Sequence, residues 1–90
     1  MKKGFENFLA KQGYKLTTPG GKPSTVYDYL KRIDKVCEWE STSWEGLANS
    51  IGVIVKIYDV GGEKEDFGKK SHRAVINALK RYQEYILSIS

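Results

Sequence analysis

Apolar residues in this 90-residue chain recur at spacings of three and four, which is the period of an α-helix and not of a strand. Toward the C-terminal end Val75, Leu79, Tyr82 and Ile86 make one such stripe, with Ala78, Tyr85 and Ile89 beside it. No segment alternates apolar and polar residues as a half-buried strand would. Four periodic segments separated by turn signals predict an all-α, single-domain chain. It would be a compact bundle of four helices over about 3–11, 24–40, 43–59 and 71–88, joined by short loops.

The boundaries follow from capping chemistry. Phe5, Phe8 and Leu9 define the first helix, and Gly13 stands where a C-terminal glycine belongs. Prolines and glycines between Tyr14 and Pro23 make a loop, anchored by Tyr14 or Leu16. Ser24 then caps a helix whose stripe is Val26, Leu30, Ile33, Val36 and Cys37, extended by Tyr29. Thr42-Ser43-Trp44-Glu45 reads as a capping box, with Thr42 as cap and Glu45 reaching back. The third helix carries Trp44, Leu47, Ile51, Ile54, Val55 and Tyr58. Gly46 and Gly52 cost it about 1 kcal/mol each against alanine, so its neighbours must hold it. Gly61-Gly62 ends that helix, Glu63 to Gly68 forms a short or frayed turn, and Ser71 caps the last helix.

Composition narrows the function classes. Hydrophobic residues make up 40% and charged residues 29%, an ordinary soluble balance. The longest apolar stretch, Ile51 to Val55, is far too short for a membrane span. No apolar region follows Met1-Lys2-Lys3-Gly4, so a signal peptide is not expected and a cytoplasmic location is. Cys37 is the only cysteine, so it can form no internal disulfide; it reads as a small core hydrophobe in a reducing compartment.

Catalytic constellations are missing from the pattern. His72 is the sole histidine, and neither glycine pair, Gly20-Gly21 or Gly61-Gly62, carries the follow-on of a phosphate-binding loop. Glu63, Glu65 and Asp66 lack the spacing of a calcium loop and read as a solvated acidic turn. The expectation is a binding module rather than an enzyme, with no cofactor, metal or small-molecule substrate.

Charge is uneven along the chain. Residues 1–35 hold eight basic and three acidic side chains, residues 36–66 two and seven, and residues 67–90 five and one, giving +5, −5 and +4 and the total of +4. A fold that joins the two basic ends would offer one side to a polyanion. Two helix starts concentrate the basic groups: Lys22-Pro23-Ser24-Thr25-Val26-Tyr27 and Lys69-Lys70-Ser71-His72-Arg73. Free amides, the helix dipole and hydroxyl donors converge at such starts and suit phosphate. On the last helix His72, Arg73, Asn77, Lys80 and Arg81 fall away from the apolar stripe, and arginine and asparagine suit guanine and adenine edges. A solvated face with capping serines accounts for the same residues equally well.

Ser24-Thr25-Val26-Tyr27-Asp28-Tyr29-Leu30-Lys31-Arg32-Ile33 resembles the Ser/Thr-capped second helix of the core-binding domain of tyrosine recombinases and phage integrases. Lys70-Ser71-His72-Arg73-Ala74-Val75-Ile76-Asn77-Ala78-Leu79-Lys80-Arg81-Tyr82 is similar to that domain's last helix, and the order of elements matches over roughly residues 3–87. The resemblance implies a four-helix, SAM-like orthogonal bundle that clamps double-stranded DNA with the starts of its second and last helices. It implicates Lys22, Ser24, Thr25, Tyr27 and Lys31, then Lys70, Ser71, His72, Arg73, Asn77 and Lys80; Lys69 and Arg81 join them from the charge pattern. The family's catalytic domain has no counterpart in these residues. Met1 reads as a natural start, and Ile86-Leu87-Ser88-Ile89 is compatible with the beginning of a linker. The alternative is a small phage-borne or mobile-element module that binds a protein. Its working surface would be the acidic stretch Glu38 to Asp66, or Trp39, Trp44 and Tyr58 as anchors.

Overall fold

The computed structural model describes residues 1–14 and 24–90, so Leu16 and Lys22 lie outside the described part. Among the described residues every regular element is helical: α1 (Lys2–Lys11), α2 (Thr25–Trp39), α3 (Trp44–Asn49), α4 (Ile51–Tyr58), α5 (Glu65–Gly68) and α6 (Lys70–Ile89). The all-α class is therefore as expected, but the count of segments is six rather than four.

The helical phases read from the sequence place the core. Phe5, Leu9, Val26, Leu30, Ile33, Val36, Leu47, Ile51, Ile54, Val55, Tyr58, Val75, Leu79 and Tyr82 are all buried in one apolar cluster. Helix α6 is its centrepiece and packs against all five other helices. Lys70 reaches Trp39 near the end of α2, while Arg81 acts on Tyr29 near its start, so α2 and α6 run antiparallel. Lys2 meets Asp34 and Tyr14 meets Tyr29, so α1 is antiparallel to α2 as well.

Several boundaries are made as the capping chemistry requires. The Ser24 hydroxyl accepts a bond from the Tyr27 amide at 3.2 Å. At the end of α1, Gly13 has φ +98°, and the amides of Gly13 and Tyr14 bond back to Ala10 O and Leu9 O, a Schellman closure. Helix α2 closes the same way with Ser41 in the glycine's place: its φ is 52°, and Thr42 N bonds Cys37 O at 2.9 Å.

Three expectations are corrected. The cap of α3 is Ser43, whose hydroxyl accepts from Gly46 N at 3.1 Å, rather than Thr42. The third helix does not run through to Tyr58. It breaks at Ser50 (φ −118°, ψ 17°), where two weak helix formers, Asn49 and Ser50, meet and the chain turns into α4. Ser71 does not cap the last helix. Ser71, His72 and Arg73 all take left-handed φ values of 56°, 56° and 68°, Lys69 at the N-cap makes no side-chain capping bond, and regular α6 starts after them. Such a turn is unfavourable for residues with a Cβ and bends the chain sharply between α5 and α6. Just before the turn the packing is close: a Cβ on Gly68 would run into the Tyr58 carbonyl oxygen, so α5 lies directly on the end of α4.

Candidate nucleic-acid interface

The residues singled out from the sequence fall into two groups at opposite ends of the α2–α6 pair. At the start of α2 Ser24 is buried and its hydroxyl is occupied by the Tyr27 amide, so it shapes the helix rather than facing outward. Thr25 is exposed and Tyr27 is 48% exposed, with the Lys31 ammonium 5.2 Å above the Tyr27 ring. Lys22 lies outside the described residues.

The second group surrounds the bend between α5 and α6. Lys69, Lys70, Ser71, His72 and Arg73 are all exposed there. A small recess of about 50 Å³ brings Lys69, Arg73, Asn77 and Lys80 together, so four residues chosen from the sequence share one hollow. Carboxylates share it too. Lys69 bonds Glu65 at 2.8 Å, and Lys80 pairs with Asp59 at 3.3 Å. The Val60 amide, and then Lys80 and Arg73, hold the Asp59 carboxyl below its ordinary value, while Lys69 and the Gly61 amide do the same for Glu65. Farther along α6, Arg81 pairs with Glu84 at 3.2 Å.

These pairs decide where a polyanion would feel positive charge. Ion pairs screen Lys69, Lys80 and Arg81, whereas among the described residues no salt bridge engages Lys70 or Arg73. The expected separation into a basic side and an acidic side is correspondingly blunted, because Glu40, Asp59 and Glu65 from the acidic stretch are interleaved with lysines.

Beside Lys70 lies a groove that sequence reasoning did not assemble, lined by Trp39, Tyr58, Lys64 and Phe67. Trp39 lies nearly parallel to Tyr58, at 6.3 Å and 13°, and Phe67 meets Trp39 edge-on at 5.0 Å. The Lys70 ammonium stands 5.4 Å from the Phe67 ring and 5.9 Å from Trp39. Glu40 fixes the floor, accepting bonds from the Tyr58 hydroxyl at 2.7 Å and from Lys64. Burial, and then that bond to Glu40, push the Tyr58 hydroxyl above its ordinary value, so it stays a neutral donor. Of the three aromatic anchors named from the sequence, Tyr58 is buried and Trp39 and Trp44 are half-buried, while Phe67 is 39% exposed. The one available signal was an aromatic residue isolated in a polar run, Glu65-Asp66-Phe67-Gly68-Lys69.

Among the described residues no three His, Cys, Asp or Glu side chains converge in a way that would hold a metal ion, and no helix is long and apolar enough to cross a membrane. Cys37 is buried on the α2 stripe, and burial pushes its thiol up to about 11, far from the behaviour of a nucleophile. Set against known protein families, curated proteins and solved structures, the chain matches none of them.

Proposed function

We propose that this chain is a non-catalytic DNA-binding module that holds duplex phosphates at two points, the α5–α6 bend and the start of α2. The observation that carries this reading is the bend itself. Its left-handed turn exposes Lys70, Ser71, His72 and Arg73, and among the described residues neither Lys70 nor Arg73 is in a salt bridge, although Arg73 lies near enough to Asp59 and Glu65 to lower both carboxyls. Thr25, Tyr27 and Lys31 form the second point. The 15 residues of α2 separate the two by roughly 22 Å, or about six steps along a strand of duplex. Asn77 is exposed one turn beyond Arg73 and is the side chain on α6 best suited to a base edge. The resemblance to integrase core-binding domains supports the same reading from the sequence.

The test is fluorescence anisotropy of a labelled random duplex at low and moderate salt. Three phosphate contacts would lower affinity roughly 40-fold between about 50 and about 200 mM salt. The Lys70→Ala, Arg73→Ala double variant should lose most of the low-salt binding. Absence of binding by the unmodified chain at low salt would end the proposal.

A second reading, docking to a protein, is favoured by the exposure of Val53 (60%) on α4 and Val60 (67%) just beyond it. Binding of a partner on that side would depend little on salt and would weaken in a Val53→Asp variant, leaving Lys70 and Arg73 indifferent.

A further inference from the structure

We infer that the groove between Trp39 and Phe67 accepts one unpaired nucleotide at the edge of a bound duplex, so that the chain prefers a duplex with a single-stranded overhang to a blunt one. This rests on the DNA-binding reading and adds a ligand to it. The groove encloses about 160 Å³ and opens to solvent next to the bend. Two aromatic rings with accessible surface, Trp39 and Phe67, meet there at an interplanar angle of 61°, and a flat π-system can stack on either. Bases inside a duplex are already stacked on each other and present no free face, so only an unpaired one fits this chemistry.

Charge selects the same class of ligand. Lys70 and Lys64 stand over ring faces, at 5.4 Å from Phe67 and 5.7 Å from Tyr58. Their ammonium groups repel a lysine or arginine side chain that would otherwise settle on the rings, and attract an anion tethered to an aromatic group. Lys64 is tied to Glu40, so its charge is largely offset. Lys70 has no carboxylate partner among the described residues and is the group that meets the nucleotide's phosphate. Lys70 also belongs to the bend, and so joins the duplex contact to the groove.

The experiment compares three labelled probes on the full chain by anisotropy at low salt: a blunt duplex, the same duplex with a short oligothymidine overhang, and an oligoglutamate peptide carrying a tyrosine. The overhang should bind roughly tenfold more tightly than the blunt duplex and should quench tryptophan emission. Phe67→Ala should erase that difference while leaving blunt-duplex affinity unchanged, and Phe67→Trp should preserve it. A melting curve for each variant confirms that it is folded. Equal affinity for blunt and overhanging duplexes overturns the groove proposal and leaves the DNA reading standing. Binding to neither duplex removes both. An oligoglutamate probe that binds as tightly as the overhang would make the occupant an acidic peptide instead.

Discussion

Two aromatic clusters in the molecule are built from the same side-chain types and put to different uses. Phe5, Trp44, Tyr82 and Tyr85 meet where α1, α3 and α6 converge. Their ring centroids lie 5.2 to 6.1 Å apart, and Phe5 and Tyr82 are completely buried. The Tyr82 hydroxyl donates to the Trp44 carbonyl at 2.7 Å, and the Trp44 indole donates to Asp34 at 2.8 Å, so the polar side-chain atoms of Tyr82 and Trp44 are satisfied internally. Trp39, Tyr58 and Phe67 meet in a second cluster, where one wall is α5, four residues long, and the Lys64 and Lys70 ammonium groups stand over ring faces. Aromatic residues become core where long helices converge around them. Where one wall is a single helical turn, they remain accessible.

Substitutions can break this contrast. The largest expected effect is in the closed cluster: Phe5→Ala should cost about 3–5 kcal/mol. Phe67→Ala should cost no more than about 1 kcal/mol, or about 4–8 °C in melting temperature, because its ring is already partly in water. Comparable losses from the two would mean that the open cluster is core after all. Gly68→Ala comes next, at about 1–3 kcal/mol, because its methyl group has only the Tyr58 carbonyl to enter and α5 must lift. A normal melting curve for that variant would show that α5 is not pressed against α4.

A smaller effect concerns acid. Burial pushes the Glu40 carboxyl up, but hydrogen bonds from Lys64 and Tyr58 outweigh it and hold the group below its ordinary value of 4.5. The stability it supplies is thus complete above about pH 4.5 and is lost as pH falls through the lower folded-state value. Urea midpoints of Glu40→Gln should fall less between neutral pH and pH ~3 than those of the unmodified chain; parallel curves would remove Glu40 as a contributor. The smallest effect is a gain. Ser41→Gly relieves a left-handed backbone at the end of α2 and should add about 0.5–1 kcal/mol in the same melts.

Much of the fold was legible because helical phase is a local property. The stripe through Val75, Leu79 and Tyr82, the glycine after α1 and the serine before α2 all act where the sequence says they should. The misreadings are tertiary in origin. Thr42 and Ser43 are equally good caps, and only the path of the chain out of α2 chooses between them. Lys69-Lys70-Ser71 looks like a capped helix start, yet the chain takes a left-handed turn there, just after Gly68 packs against the Tyr58 carbonyl. Of the candidate site, Lys70 and Arg73 could be named in advance because charge shows in the sequence. Their freedom from ion pairs could not, since Glu65 and Asp59 were drawn to Lys69 and Lys80 by the fold. The groove was invisible because Trp39 and Phe67 come from separate elements and neither lies on an amphipathic stripe.

Cys37 turns the core into a clock. It is the chain's single thiol, buried on the α2 stripe, and burial, with Asp34 and Glu45 nearby, pushes it up to about 11. A thiol reagent can therefore reach it only during excursions that expose that part of the core, and its labelling rate times them. Motions confined to the groove or to α5 leave the rate untouched, so one chemical reaction separates loosening of the binding edge from opening of the whole molecule.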